Sequence, residues 1–291
     1  MNKTKGCFIS VVAIFFIGLI VILCISLPDL KKIPDENQNS TYTQSLLNFG
    51  SKNFLFLGVD EREGFKNFKG RTDTIIILHL GSFGKKDFLI SIPRDVRVNL
   101  KGYGWNKINA SYEYGGNEML NDEILKLTGI AINKYMLVNF DGFKKIIDAL
   151  GGVRIVVEEP LHDPKSGANF DPGTYLMNGD QALAFARCRS TSKGDLDRAD
   201  RQKYLINELL KQKINFSIIF KTPEVIKILN EETKSDFSVM DYISLGTTLL
   251  FSNKDIQRIT IPTKPANIGG ISYLIANEKE VRDFLSKYVG N

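Results

Sequence analysis

Aspartate and arginine residues are concentrated where the apolar stretches of this sequence begin or end. Asp60 closes one apolar run and Asp73 opens the next. If these runs are neighbouring strands, the two carboxylates meet at one edge of a sheet, and paired carboxylates beside phosphate oxygens are a common way to hold Mg²⁺. Arg62 and Arg71 lie between them. The alternative is that Arg62–Asp73 or Arg71–Asp60 are surface ion pairs worth about 0–1 kcal/mol.

A further arginine, Arg94, follows the apolar run FLISIP and precedes Asp95. At the mouth of a strand, its planar guanidinium can bind an anion with two parallel hydrogen bonds. An ordinary ion pair within the loop is the alternative. The later segment NKINASYEYGG offers Lys107 and Asn109 as possible ligand contacts. For that segment we favour a structural turn with aromatic packing, marked by its pair of glycines.

Two more arginines, Arg187 and Arg189, lie in the segment ALAFARCRS. If this segment is extended, their side chains share one face and Cys188 between them faces the opposite way. We therefore predict two guanidinium groups side by side and a cysteine that packs in the core.

The segment DLDRADRQ then predicts the start of a helix. Asp195 or Asp197 is placed to cap it. Arg198, Arg201 and Gln202 would be neighbours in its first turns. Because a helix N-terminus carries free N–H groups and a partial positive charge, this arrangement suits a phosphate or pyrophosphate. The alternative is a solvated basic stretch whose charge is balanced by the nearby aspartates.

Several classes of function are disfavoured by what the sequence lacks. It contains no G-x-x-x-x-G-K-[ST], no G-x-G-x-x-G after a strand, no G-x-S-x-G and no H-E-x-x-H. Two histidines in 291 residues exclude a three-histidine zinc site. The formal net charge of +5 is too mild to indicate nucleic acid binding. Two of the three cysteines lie in one apolar run, so no intrachain disulfide framework is implied.

The elements that must position these side chains are apolar, β-branched runs mixed with helix-like segments. This mixture predicts a layered α/β or α+β domain. A Gly/Pro/Asp-rich loop is expected over 160–174. Strands are predicted at 53–60, 74–80, 88–93, 153–157 and 256–261, and helices at 117–127, 140–150, 179–187, 196–213, 222–231, 238–250 and 278–288.

The N-terminal region predicts a membrane anchor. Residues 7–27 carry no charge and, as a helix, would span about 30 Å, the thickness of a hydrocarbon core. Lys3 and Lys5 favour a cytoplasmic N-terminus, although Lys31 and Lys32 oppose it. A lipoprotein signal at Cys24 is the alternative to an uncleaved anchor. The predicted organisation is a cytoplasmic N-terminus (1–6), a transmembrane helix (7–27), a linker (28–50) and one domain outside the cytoplasmic membrane (51–291).

Seven stretches, in order, resemble the LytR–CpsA–Psr family of cell-wall glycopolymer transferases. They are FLFLGVDER, RTDTIIIL, SIPRD, NKINASYEYGG, NFDGFKKIIDALGGV, NGDQALAFARCR and DLDRADRQ, within about residues 53–202. The resemblance implies an extracytoplasmic catalytic domain with a central mixed β-sheet flanked by helices on both faces. It also implies an apolar channel for a polyprenyl chain with the pyrophosphate at its mouth.

The activity that the resemblance implies is a Mg²⁺-assisted phosphotransfer. A glycopolymer of teichoic acid or capsule type would pass from polyprenyl pyrophosphate to peptidoglycan through a phosphodiester, with release of polyprenyl phosphate. The implied partners are this lipid-linked polymer, peptidoglycan and the membrane, with no nucleic acid. A hydrolase acting on the same lipid-linked substrate, and a non-catalytic binder or regulator, are the alternatives.

The resemblance also implies roles for individual residues. Asp60 and Asp73 would bind Mg²⁺, with Arg62, Arg71 and Lys107 supporting the site. Asp195 would serve as the catalytic base with Arg94 and Arg198. Since the family commonly has glycine where Asp197 stands, both aspartates stay candidates for the base. The pyrophosphate ligands would be Arg94, Arg187, Arg189, Arg198, Arg201 and Gln202.

Overall fold

A six-stranded mixed sheet lies at the centre of the fold, in the order β11-β6-β1-β2-β3-β12. The computed structural model describes residues 52–59, 68, 70–81, 86–189, 195–213, 227–238, 240–242, 245–246 and 256–289. All of these belong to one compact unit, Phe49–Asn291. The sheet strands are β1 (Lys52–Val59), β2 (Thr72–Leu80), β3 (Phe88–Ser91), β6 (Lys134–Val138), β11 (Thr233–Ser235) and β12 (Gln257–Thr260).

Small hairpins and five helices complete the described elements. The hairpin strands are β4 (Arg97–Leu100) with β5 (Gly104–Lys107), β7 (Val153–Val157) with β10 (Gly173–Met177), β8 (Leu161–Asp163) with β9 (Ala168–Phe170), and β13 (Lys264–Ile268) with β14 (Ile271–Ile275). The helices are α1 (Ala110–Thr128), α2 (Phe140–Ala149), α3 (Gly179–Arg187), α4 (Asp195–Lys213) and α5 (Glu278–Ser286). Residues 227–232 are also helical.

The central strands are continuous apolar runs because helices cover both faces of the sheet. On one face, Leu57, Ile75 and Ile90 pack with Ile124 of α1 and Leu285 of α5. The opposite face is covered by different helices. There Phe54, Leu78 and Leu89 pack with Ile206 of α4 and Leu229 of the helical stretch 227–232. This arrangement confirms the predicted mixed sheet with helices on both sides.

A smaller layer lies beyond α4. It contains the hairpin strands β7–β10 and the helices α2 and α3, packed around Ile155, Phe185 and Cys188. Leu205 of α4 belongs to this second cluster, whereas Ile206 of the same helix packs towards the central sheet. Helix α4 therefore has one apolar side for each layer, which fixes its position between them.

Strand direction determines which chain segments meet. β6 runs parallel to β1, and β12 runs parallel to β3. β2 is antiparallel to both β1 and β3. The four strands β1, β3, β6 and β12 therefore end at the same edge of the sheet, where β2 begins. We call this the C-terminal edge.

Most predicted elements are confirmed, and two interpretations were wrong. The expected loop at 160–174 contains the β8–β9 hairpin and the start of β10. The Gly115–Gly116 pair does not end an element but forms a kink inside α1, with Gly116 at φ 63°. Residues 222–226 and parts of the helix predicted at 238–250 lie outside the described residues.

The predicted transmembrane segment, residues 7–27, also lies outside the described residues. Among the helices that the structure describes, none is both long and apolar enough to cross a membrane.

A close approach of α2 and α3 predicts a sensitive glycine. A Cβ added to Gly179 would lie 2.4 Å from the carbonyl oxygen of Lys144. Gly179→Ala should therefore lower the free energy of unfolding by about 1–3 kcal/mol, since overpacking forces the backbones apart. Gly173→Ala is the matched control, because its Cβ would meet its first neighbour at 3.6 Å. Equal melting temperatures for the two variants, measured by circular dichroism, would contradict this close packing.

Candidate active site

The C-terminal edge of the sheet brings two predicted site residues together. The Ile92 amide donates to the Ile75 carbonyl at 3.0 Å, so the end of β3 stays aligned with the start of β2. Arg94 leaves β3 two residues later, and Asp73 lies two residues before Ile75. Arg94 Nη1 donates to Asp73 Oδ2 at 2.7 Å. This pair joins positions 21 residues apart, so Arg94 does more than form an ion pair within its own loop. Arg62, the other suggested partner of Asp73, lies outside the described residues.

Beyond Arg94, negatively and positively charged side chains alternate with increasing distance from Asp73. Arg94 Nε lies 3.6 Å from Asp95 Oδ2, and Lys107 Nζ lies 2.7 Å from Asp95 Oδ1. All four side chains are part-buried, with 21–28% of their area exposed. We call Asp73, Arg94, Asp95 and Lys107 the charged row. Each cation in it contacts a carboxylate, which holds the flexible side chains in fixed orientations.

Backbone hydrogen bonds hold the residues of the charged row in place. The amide of Asn109 donates to the carbonyl of Arg94 at 3.3 Å, and Leu274 of β14 donates to Asp95 at 2.9 Å. Asn109 is buried, and its Oδ1 has no hydrogen-bond partner among the described residues. A buried acceptor of this kind is suited to a hydroxyl or water at the site. Its motif, NKINASY, was the signal that pointed to it.

Arg71 pairs with a residue that the sequence did not suggest. Its Nε donates to Glu113 Oε2 of α1 at 2.8 Å. This hydrogen bond raises the pKa of Arg71, so the side chain is positively charged at any working pH. Asp60 and Arg62 lie outside the described residues. The chain enters that segment from Val59, which pairs with Thr72, the residue next to Asp73.

Arg187 and Arg189 are held by different contacts. Arg187 is the last residue of α3, which confirms the helix predicted at 179–187, so it does not share an extended segment with Arg189. Its guanidinium lies 4.5 Å from the ring centroid of Phe140, just after the end of β6. Cys188 is fully buried, as predicted. The side chain of Arg189 is exposed at the surface.

Asp163 fixes the backbone of Arg189. The Arg189 amide donates to Asp163 Oδ2 at 2.9 Å, and this hydrogen bond is the main reason that the pKa of Asp163 is lowered. The carboxylate is therefore ionised, and its hold on this loop is complete, at neutral pH. The contact ties the chain after α3 to the β8–β9 hairpin.

The first turns of α4 bring buried cations to the same region. Arg198 and Arg201 are 7% and 9% exposed, so the alternative of a solvated basic stretch is wrong for both. Arg201 Nη2 donates to the Cys188 carbonyl, and Gln202 Nε2 donates to the Ala186 carbonyl at 3.4 Å. Arg201 and Gln202 thus connect α4 to the end of α3.

The direction of α4 is shown by the contacts of Lys203, a residue that the sequence had not singled out. Lys203 is 2% exposed. Its Nζ donates to Thr260 Oγ1, at the end of β12, and lies 2.7 Å from Asp200. Thr260 is level with Ser91, three residues before Arg94. Arg198, which precedes Lys203 on the helix, therefore lies towards the C-terminal edge, while Ile206 packs over the body of the sheet.

Both candidates for a base belong to α4. The helix begins at Asp195, so Asp197 is part of its first turn and does not cap it. The side chain of Asp195 lies outside the described part of the chain.

The acidic residues of this edge have the donor chemistry that Mg²⁺ prefers, which is oxygen only. Asp73 Oδ2 is held by Arg94, while Oδ1 makes no hydrogen bond or ion pair within the described residues. No group of three or more His, Cys, Asp or Glu side chains suited to a metal occurs in the ranges that the structure describes. With Oδ1 available, Asp73 has an oxygen that fits a metal ligand, and Asp60 would be its predicted companion.

Known proteins share both the sequence and this fold. The teichoic acid transferase TagU of Oceanobacillus iheyensis is 32% identical over 90% of this chain and 82% of its own length. The regulatory protein MsrR of Staphylococcus aureus is 31% identical over 82% of this chain and 76% of its own. The crystal structure of Bacillus subtilis TagV superposes with a TM-score of 0.71, at 29% identity, over 83% of this chain and 98% of that one.

A family-wide comparison covers almost the whole chain. Residues 28–288 match the LytR_cpsA_psr family description, well beyond the motifs that line the C-terminal edge. The chain therefore belongs to the LytR–CpsA–Psr family.

Proposed function

We propose that this protein is a membrane-anchored phosphotransferase that attaches a polyprenyl-pyrophosphate-linked glycopolymer to peptidoglycan. The observation that carries the proposal is that the Asp73–Arg94 pair and the start of α4, with its buried arginines, lie towards the same sheet edge. The relative named for teichoic acid transfer supports the polymer class. A pyrophosphate needs several fixed cations, and this edge has them before substrate arrives.

Positioning and charge neutralisation supply most of the catalysis in phosphoryl transfer. We assign pyrophosphate oxygens to Arg94, Arg187, Arg189 and Arg198, with Gln202 donating a further hydrogen bond. Arg201 would act mainly through its hydrogen bond to the Cys188 carbonyl, which orients the neighbouring residues of α4. Groups held in place by ion pairs and burial need little rearrangement in the transition state.

Asp73, with Asp60, would hold Mg²⁺ at the edge. When bound, the ion would neutralise phosphate charge. Arg94 has a second role here, since its ion pair fixes the orientation of the Asp73 carboxylate. Arg71 and Lys107 would support the carboxylates and the turn that carries Arg94.

The reaction breaks one phosphorus–oxygen bond and makes another. A peptidoglycan hydroxyl, that of the muramic acid C6, attacks the phosphorus attached to the glycopolymer. Its proton passes to an aspartate at the start of α4, which we assign as Asp195. The bond to the bridging oxygen breaks, and polyprenyl phosphate leaves with the bonding electron pair. The product is a phosphodiester between polymer and wall.

The role of Arg94 can be tested by a substitution that keeps its charge. Arg94→Lys should lower kcat for transfer about 100-fold, because one amine cannot contact Asp73 and a phosphate in the same geometry. The assay contains a short polyprenyl-pyrophosphate-linked saccharide, a peptidoglycan oligomer and Mg²⁺, with products identified by mass spectrometry. Arg154→Lys, exposed on β7, is the matched control.

The products of the same assay separate the alternative functions. A phosphodiester adduct that disappears on chelation supports the transferase and its metal. Free phosphorylated saccharide without adduct would indicate a hydrolase. Intact substrate that stays bound would indicate a binder or regulator, and an Arg94→Lys protein with full activity would exclude this site.

The two aspartates of α4 give separate expectations for the base. Asp195→Asn should lower kcat by about 100-fold or more, since a general base contributes 10²–10⁴. It should also remove the acidic limb of the kcat–pH profile. Asp197→Asn, two residues further into the helix, should change kcat by less than about threefold. The reverse pattern would move the base to Asp197.

We further propose that residues 7–27 anchor the protein in the cytoplasmic membrane, with 51–291 outside. The support is the length and apolarity of this run and the two lysines that precede it. Protease added to intact protoplasts should then digest the domain and leave an N-terminal fragment in the membrane. A domain that is cut only after lysis would reverse the orientation.

A further inference from the structure

The hairpin of β4 and β5 has two faces of different character. Its register pairs Arg97 with Lys107 and Asn99 with Trp105. Val98 and Leu100, between these positions, are buried in the core below. Because side chains alternate along a strand, Arg97, Asn99, Trp105 and Lys107 share the outer face.

Trp105 is the large side chain of that outer face. It is 57% exposed, although the guanidinium of Arg97 lies 4.0 Å from its ring centroid. Arg97 is in turn 5.6 Å from the ring of Tyr273 on β14, and its Nε has no hydrogen-bond partner among the described residues. The cation is thus held between two rings and fixes the orientation of the indole.

A second exposed ring lies two residues earlier. Tyr103 is 52% exposed and stacks on Tyr114 of α1, with centroids 4.4 Å apart and planes 8° apart. Both rings are therefore exposed and held rigidly by a neighbour. Rigid, exposed aromatic rings lose little conformational entropy on binding, which suits them to stack against the apolar C–H face of a sugar ring.

The outer face leads directly to the charged row. Lys107 follows Trp105 by two residues, about 7 Å along a strand. Lys107 Nζ contacts Asp95, which adjoins Arg94. A glycan strand stacked on Trp105 could therefore continue past Lys107 and Asp95 towards the phosphate that Arg94 is proposed to bind.

Charge and shape favour a wall glycan over a lipid surface. No acidic residue occurs between Asp95 and Glu113, and this stretch contains Arg97, Lys101 and Lys107. These cations complement the carboxylates of muramic acid and its peptide. The aliphatic side chains of the hairpin, Val98 and Leu100, face inward and are not available to enter a bilayer.

We propose that the outer face of the β4–β5 hairpin is the acceptor subsite, where Trp105 and Tyr103 stack on sugar rings of a peptidoglycan strand. This assignment rests on the proposed function. The face is open to solvent, as an acceptor that remains part of an insoluble wall requires. The donor polymer is held through its pyrophosphate at the arginines and does not need this surface.

Trp105 is the sole tryptophan of the chain, so its fluorescence reports on this surface alone. We titrate the full-length protein, held in nanodiscs of neutral lipid, with a soluble fragment of peptidoglycan. The fragment is an uncrosslinked tetrasaccharide that carries its peptides. We expect a saturable blue shift of emission and protection from acrylamide quenching. An unchanged spectrum would overturn the proposal, and so would protection that only phosphatidylglycerol vesicles produce.

Kinetics then separate acceptor from donor. Trp105→Ala should raise KM for the acceptor about tenfold, equivalent to about 1.4 kcal/mol, with KM for the lipid-linked donor unchanged. Trp105→Phe should raise it by about threefold or less, since a smaller ring keeps part of the stacking. Leu176→Ala, at a residue 63% exposed on β10, is the matched control for loss of an exposed apolar side chain.

The two proposals fail in distinguishable ways. Saturable protection of Trp105 without transfer would retain the glycan subsite and remove the transferase function. Transfer with an unaltered acceptor KM in Trp105→Ala would retain the function and remove the subsite. A rise in the donor KM alone would also remove it, because the hairpin would then bind the polymer.

Discussion

The ion pair between Asp73 and Arg94 ties the start of β2 to the chain that leaves β3. It forms because these two strands are antiparallel neighbours and end in register. On one side it leads through Asp95 to Lys107 and the β4–β5 hairpin. On the other it directs a carboxylate to the place where the chain leaves β1. A shift of this register by one residue would place the Asp73 and Arg94 side chains on opposite faces of the sheet, where they could not pair.

Helix α4 is positioned by packing on both of its sides, and the polar contacts of Arg201 and Lys203 add to this packing. Its apolar residues contact the central sheet on one side and the β7–β10 layer on the other. Arg198, Arg201 and Lys203 are consequently buried, although their segment is among the most highly charged in the chain. Buried cations are costly unless compensated. Here the Cys188 carbonyl compensates Arg201, and the Asp200 carboxylate compensates Lys203.

Family membership alone does not decide the activity. One relative is named a teichoic acid transferase and another a regulatory protein, at similar identity to this chain. Function must be argued from the site, because one fold serves many purposes. At the C-terminal edge, Asp73 fixes Arg94, one Asp73 oxygen makes no hydrogen bond or ion pair within the described residues, and the aromatic hairpin β4–β5 lies beside them.

The sequence by itself determined the family, the described helices, five of the fourteen described strands, and the segments that carry the site. Apolar runs and helix signals depend on neighbouring residues, so they can be read locally. It also indicated a buried Cys188 and singled out Lys107 and Asn109. The hairpins β4–β5, β8–β9 and β13–β14 were missed, and so were β6, β10 and β11, because short strands lack a strong local pattern.

Only the tertiary structure decided which charges meet. Arg71 pairs with Glu113, 42 residues away, and Arg94 pairs with Asp73, 21 residues away. Burial of Arg198 and Arg201 depends on two layers that close around one helix. Spacing along the chain indicates which side chains lie on the same face of a helix or strand. Their partners depend on strand register and on layers that are distant in sequence, and these exist only in the folded molecule.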